Sequence, residues 1–112
     1  MFLKIERFGE NNFFKEKNFT IVTFPLTGLD LTEFLPAGSS SAKYDLIGNV
    51  IHMGTAQTGS YKVQKMHQVS KEWFEIQDLL VDKILPEQVS VSESYLLLYK
   101  KTNWLINFDF VN

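Results

Sequence analysis

Residues 58–64 read Thr-Gly-Ser-Tyr-Lys-Val-Gln, and residues 73–78 read Trp-Phe-Glu-Ile-Gln-Asp. Both runs are rich in aromatic and β-branched residues, so residues 61–67 and 73–77 are predicted to be strands. The sequence between them, Gln-Val-Ser-Lys at 68–71, predicts a hairpin turn. Together the two runs predict neighbouring strands of an antiparallel sheet.

The same strand pattern recurs on both sides of this pair. Small-residue stretches at 36–42 and 54–59 predict loops. Helical signals are few: Asp30 with Glu33 could cap a single turn, and Pro86 could begin a short helix. We therefore predict a β-dominated α+β fold, an antiparallel twisted sheet with little helix. The further predicted strands span residues 2–8, 19–24, 44–53 and 95–101.

Length and composition are those of one globular domain. The chain has 112 residues, of which 45% are hydrophobic and 14% aromatic, and this excludes a disordered protein. No apolar run approaches the roughly 20 residues that span a bilayer, so no membrane association is expected. Residues 1–7 alternate and carry charge early, which favours a strand over a signal peptide.

Charge and cysteine content narrow the function classes. The net charge is −2 and Arg7 is the single arginine, which argues against direct nucleic-acid binding. Lys62, Lys65 and Lys71 form the densest basic cluster, and we interpret it as a solvated surface. The absence of cysteine excludes disulfides and cysteine-ligated zinc, and it fits a reducing compartment.

The two opening runs resemble the C-terminal catalytic boxes of ubiquitin-specific proteases. In that family a Gly-His-Tyr turn supplies the general base, and an aromatic-rich strand ending in Asp-Asp or Asn-Asp supplies its orienter. Here Ser60 stands at the base position and Gln77 at the orienter position. Further segments resemble the family in the same order, at residues 4–8, 24–31, 43–54 and 92–101.

The resemblance is strongest to one branch, through residues 59–62, 75–79 and 84–86. That branch is the catalytically dead, splicing-associated member carried by the spliceosomal tri-snRNP. It implies a nuclear, non-catalytic scaffold that binds tri-snRNP proteins. Two alternatives stay open: a non-catalytic ubiquitin-binding module, with weak affinity for ubiquitin, and, less favoured, an active deubiquitinating cysteine protease.

The residues at the catalytic positions predict no enzyme. A cysteine protease needs a base with a pKa near neutrality to form its thiolate, and the Ser60 hydroxyl is no such base. Gln77 can orient a ring but cannot stabilise an imidazolium as a carboxylate does. Asp78 matches the second acidic residue of the box, and we expect it to bond nearby backbone N–H groups. The candidates for a loop bordering a binding groove are Gly54, Gly59 and Tyr61.

No cofactor and no metal are expected, because His52 and His67 alone cannot supply the three or four ligands that zinc requires. The resemblance covers residues 1–102 as the C-terminal portion of a longer protease-like domain. The rest of that domain, which carries the cysteine in the family, is an expected partner. Residues 103–112, with the aromatic tail from Trp104 to Asn112, are predicted to add an edge strand or to carry a docking peptide.

Overall fold

The computed structural model describes residues 1–10, 15–40 and 42–102. The predicted β-dominated, antiparallel fold with little helix is confirmed. The predicted tail from Trp104 lies outside the described residues. In chain order the elements are β1 (Phe2–Lys4), β2 (Phe8–Glu10), β3 (Lys15–Lys17), β4 (Leu29–Asp30), a 3-10 turn (Thr32–Phe34), β5 (Lys43–Gly54), β6 (Gly59–Met66), β7 (Trp73–Gln77), β8 (Leu80–Ile84), α1 (Pro86–Val89) and β9 (Ser94–Lys101).

The main sheet is built around β5. Its strand order is β1-β9-β5-β6-β7-β8, with β4 paired to the beginning of β5. All of these pairings are antiparallel. Strands β2 and β3 form a separate two-stranded hairpin. The candidate positions Ser60 and Gln77 lie on β6, directly beside the central strand, and on β7, the next strand along.

One face of the main sheet, the core face, holds the hydrophobic core. Leu46 lies opposite Tyr99 across the β5–β9 ladder, and directly opposite residues share a face. Helix α1 begins at Pro86, as predicted, and contributes the fully buried Val89 to this core. The Gln88 side chain caps its first turn by accepting a 2.8 Å bond from the Leu85 N–H. The buried cluster consists of Leu46, Trp73, Val89, Leu97 and Tyr99.

The opposite face, the open face, is apolar but only partly covered in the described part of the chain. Val50 faces Leu96 on one side and Val63 on the other, and Val63 faces Ile76. Val63 is 37% exposed, although it lies in the middle of the sheet. A row of apolar side chains across four strands therefore remains accessible, and such a surface is typical of an association site.

Two strand predictions are wrong. Residues 19–24 are irregular, because side chains bond backbone carbonyls in and next to this connection. The Thr20 carbonyl accepts a 2.7 Å bond from Arg7 Nη1, and the carbonyl of the following Pro25 accepts a 2.7 Å bond from the Tyr99 hydroxyl. Residues 2–8 do not form one strand, since β1 ends at Lys4 and the next strand begins at Phe8.

Three strands were not predicted: β3, β4 and β8. Strand β8 follows β7 through a two-residue turn, and its first residues, Leu80 and Val81, continue an apolar run that starts at Leu79, without the alternation that identifies strands. Among the large side chains of β7 and β9, Phe74 and Tyr95 are only half-buried, whereas Trp73, Leu97 and Tyr99 are buried.

The Tyr99 hydroxyl bond to Pro25 gives a first testable prediction. The ring is 1% exposed, and burial raises the pKa of the phenol to about 12. Removing the hydroxyl in Tyr99→Phe should lower the unfolding free energy of the full-length protein, meaning this chain with any residues that precede or follow it, by about 1 kcal/mol. Denaturant titration measures this change. The exposed Tyr61→Phe is the matched control, and an equal loss in both variants would contradict the assignment.

Candidate functional site

Ser60 and Gln77 lie at one end of the β6–β7 pair. Ser60 is the second residue of β6 and pairs with Met53 of β5, whereas Gln77 ends β7. In the β6–β7 ladder Val63 lies opposite Ile76, and continuing this register places Gln77 opposite Lys62. Because side chains alternate along a strand, Ser60, Lys62 and Gln77 point to the same face. The fold therefore brings the base and orienter positions to one face and one end of the sheet.

A polar network occupies the same face beside these positions. Lys62 Nζ lies 3.3 Å from Glu75 Oε1, and Gln64 Nε2 donates to Glu75 Oε2 at 3.0 Å. The fully buried Asn49 donates from Nδ2 to Gln64 Oε1 at 2.9 Å. Glu75, the carboxylate of this network, is thus held by a lysine and an amide. The network was not predicted from the sequence, although polar residues alternate with other residues along β6 and would have indicated it.

Asp78 has a structural role through its backbone. It occupies the first position of the two-residue turn between Gln77 and Leu80, with a φ of 54°. This left-handed conformation is uncommon for residues other than glycine, and aspartate tolerates it better than most. Asp78 therefore reverses the chain at the end of β7 and fixes the start of β8.

The loop between β5 and β6 depends on both candidate glycines. Gly54 has a φ of 108°, and a Cβ there would lie 2.6 Å from the Thr58 carbonyl oxygen. A Cβ at Gly59 would collide with the His52 imidazole. The loop is closed by a 2.7 Å bond from the Thr55 N–H to the Thr58 carbonyl. A larger residue at either glycine would force this loop open or displace His52.

Four rings, the aromatic cluster, line the open face beside this loop. Phe8 and His52 meet edge-on at 5.0 Å, and His52 meets Tyr61 at 5.2 Å. Tyr95 lies 5.8 Å from Phe8 and 6.1 Å from Tyr61. Tyr61 is 55% exposed. Only Tyr61 among these rings was predicted from the sequence to be a binding residue. Phe8 and Tyr95 could not be predicted, because they come from strands far apart in the sequence. The cluster leaves ring surface accessible at Tyr61 and at Phe8, which is 38% exposed.

The imidazole of His52 is buried within this cluster. Burial lowers its pKa below the ordinary 6.5; the Lys17 ammonium lowers it further, and Glu93 acts in the opposite direction. His52 is therefore neutral at pH 7. His67 lies elsewhere, in the β6–β7 turn, where its Nδ1 accepts a 3.2 Å bond from the Ser70 N–H.

The described residues contain no cluster of three or more side chains suited to hold a metal ion. In the same part of the chain, none of the helices has the length and apolarity needed to cross a membrane.

Comparisons with known proteins identify the family. The model of the family "Ubiquitin carboxyl-terminal hydrolase" matches residues 1–99. The chain therefore belongs to the ubiquitin carboxyl-terminal hydrolase family.

Two individual relatives match most of this chain. "Ubiquitin carboxyl-terminal hydrolase 39" of Homo sapiens is 45% identical over 101 residues, covering 87% of this chain and 18% of that protein. "Probable mRNA-splicing protein ubp10" of Schizosaccharomyces pombe is 32% identical over 109 residues, covering 88% of this chain and 22% of that protein. The chain thus spans only about a fifth of the length of these relatives.

Solved structures agree with this assignment. The SAGA Ubp8/Sgf11/Sus1/Sgf73 DUB module bound to ubiquitin aldehyde matches with a TM-score of 0.82 and 27% identity, covering 89% of this chain and 24% of that one. The Ubp8-Sgf11-Sgf73-Sus1 SAGA DUB module matches with a TM-score of 0.81 and 28% identity, covering 90% of this chain and 23% of that one. In both structures the matching fold is part of an assembly with other proteins.

The lowered pKa of His52 predicts a pH dependence. The unfolded chain binds the proton more readily than the folded one, so the free energy of unfolding falls as the pH drops below about 6.5 and is unaffected by His52 above that pH. The NMR titration of the His52 ring in the full-length protein should have its midpoint below 6.5. A midpoint at or above that value would contradict the buried, neutral ring.

Proposed function

We propose that this protein is a non-catalytic, protein-binding scaffold: a pseudo-deubiquitinase that acts in nuclear pre-mRNA splicing as a component of the tri-snRNP. The single observation that carries the proposal is Ser60 at the general-base position, in a fold whose surrounding strands and loop are intact. Gln77 at the orienter position supports the same conclusion.

The chemical argument concerns proton transfer. General-base catalysis contributes about 10²–10⁴-fold in rate, and the base must accept a proton near the working pH. The serine hydroxyl at Ser60 cannot do so. Lys62 and Glu75, two charged groups on the same face, are paired with each other. His52 lies on the opposite face, in the aromatic cluster, and does not replace the missing base.

The proposed role in splicing rests on sequence similarity to relatives. A relative at 32% identity carries the name of a probable mRNA-splicing protein, and residues 59–62 resemble the splicing-associated branch of the family. The expected partners are therefore proteins of the tri-snRNP. A protein-binding role also agrees with the half-exposed apolar side chains of the open face.

The open face also favours a second partner, the remainder of the protease-like domain. This chain spans 18% of its human relative, and its sheet buries only one face among the described residues. A complementary half that packs on Val50, Val63 and Leu96 would complete the domain.

A ubiquitin-binding module is the second candidate function. The observation that favours it is the aromatic cluster beside an intact loop between Gly54 and Gly59. A related module has been solved with ubiquitin aldehyde bound. We call the surface formed by the aromatic cluster and the Gly54–Gly59 loop the groove. The groove can bind a ubiquitin tail without cleaving it, because binding needs only the rings and the backbone.

One experiment separates the candidates. The full-length protein is titrated with ubiquitin by calorimetry and assayed with a fluorogenic ubiquitin amide. The scaffold proposal expects no hydrolysis and no heat of binding, whereas heat without hydrolysis would favour the ubiquitin-binding module. Measurable hydrolysis that disappears when Ser60 is changed to Ala would overturn both non-catalytic proposals.

Restoring the two side chains should not create an enzyme in this chain. The 112 residues contain no cysteine, so Ser60→His combined with Gln77→Asp supplies a base and an orienter without a nucleophile. We expect hydrolysis of the ubiquitin amide at the level of the buffer blank, with the unsubstituted chain as the control. Activity in the double variant alone would show that the catalytic positions are misassigned.

The isolated 112-residue chain is predicted to self-associate or to be unstable. Its open face exposes a row of apolar residues, and apolar burial is worth about 25 cal/mol per Å². A buried area of several hundred Å² is therefore comparable to the roughly 5–15 kcal/mol that stabilises a small domain. Light scattering after size exclusion should report oligomers. A monomer of 13.0 kDa with a cooperative melt is the result that rules this out.

A further inference from the structure

Lys17 is one of the most deeply buried charges in the described residues, and neither the family positions nor the aromatic cluster explains it. It ends the β2–β3 hairpin, and its side chain is 1% exposed. Its ammonium lies 2.9 Å from the His52 carbonyl, 3.1 Å from the Gly54 carbonyl and 3.2 Å from Glu93 Oε2. Three acceptors match the three N–H donors of a lysine, so the charge is fully hydrogen-bonded.

The two carbonyls need this donor because of where β9 begins. The β5–β9 ladder starts at the pair Ile51 and Ser94, so β5 continues to Gly54 without a β9 neighbour. On the other side the last residues of β5 pair with β6. Backbone carbonyls that lose a ladder partner away from solvent must find another donor. Lys17 supplies it and so takes the place of the missing stretch of strand.

The contact falls where β5 becomes the loop. Gly54 has the positive φ that turns the chain, and the Thr55 N–H bond to Thr58 closes the loop directly after it. His52, whose carbonyl binds Lys17, packs its ring against Gly59 at the other end of the loop. One ammonium therefore fixes the residues that determine where the loop starts and where it ends.

The hairpin that carries Lys17 is itself tied to the main sheet by a second buried cation. Arg7 donates from Nε to the Ser94 carbonyl at 2.6 Å and from Nη1 to the Asn18 carbonyl at 3.0 Å. Asn18 follows Lys17 directly. The two cations thus join the hairpin to β9 and β5, and they hold it against the loop.

We propose that Lys17 is the positioning residue of the Gly54–Gly59 loop, through which the β2–β3 hairpin sets the shape of the loop beside the aromatic cluster. A ligand of the groove and a partner that displaces the hairpin would then influence each other, since both depend on the same contact. This consequence for ligands rests on the proposed binding function, whereas the positioning itself does not.

Hydrogen exchange measures the positioning without any ligand. The full-length protein is compared with Lys17→Met, whose unbranched side chain is one atom shorter and carries no charge. Bonds to charged groups are worth more than neutral ones, so loop amides from Thr55 to Ser60 should exchange at least about tenfold faster. Amides of the β7–β8 hairpin should be unchanged. Lys62→Met, which breaks another lysine–glutamate pair, is the matched control and should leave the loop unchanged.

Unchanged loop exchange in Lys17→Met overturns the proposal, and so does a uniform increase that includes the β7–β8 hairpin, because that would be general destabilisation. If the variant does not fold, the unsubstituted protein provides the test. Its buried Lys17 ammonium should give a slowly exchanging NMR signal, coupled through hydrogen bonds to the carbonyl carbons of His52 and Gly54. A rapidly exchanging Lys17 ammonium would equally refute the proposal. Neither readout depends on what the groove binds.

Discussion

Strand β5 is the constraint on which the rest of the structure depends. Within its twelve residues, the span 44–51 pairs with β9 on one side, while 43–44 pair with β4 and 48–54 pair with β6. Its inward residues, such as Leu46 and Ile51, lie on the buried core face, and its outward residues, such as Val50, lie on the open face. The register of β6 against β5 then determines which face of the sheet Ser60 and its neighbour Tyr61 each occupy. Ser60 faces the polar network, and Tyr61 faces the aromatic cluster.

The central strands could be predicted from the sequence because their apolar alternation agrees with the fold. Residues 44–53, 61–67, 73–77 and 95–101 all lie in or within a residue of observed strands. The failures have physical causes. Residues 19–24 have the composition of a strand. However, the side chains of Arg7 and Tyr99 donate hydrogen bonds to backbone carbonyls in and next to this connection. Strand β8 was missed because the apolar run 79–81, which leads into it, lacks alternation; these side chains are exposed at the edge of the sheet.

The candidate site was only partly predictable, for a related reason. Ser60 and Gln77 could be proposed as candidates because they stand at defined places in local motifs. The aromatic cluster and the Lys17 contacts join residues that are distant in the chain, and no local pattern encodes them. Lys17 in particular follows a run of charged residues that is typical of a solvated turn, yet its ammonium is buried. The intact loop and aromatic cluster, beside a serine at the proposed base position, support the proposal of binding in place of catalysis.

Reaction with a ubiquitin derivative that carries a thiol-reactive group at its C-terminus tests the central claim most directly. A catalytic cysteine activated by a neighbouring base attacks such a probe rapidly, and the adduct is detected by intact mass. With Ser60 at the base position, we expect the full-length protein to form no adduct under conditions that fully label an active member of the family. Rapid formation of a one-to-one covalent adduct would contradict the account.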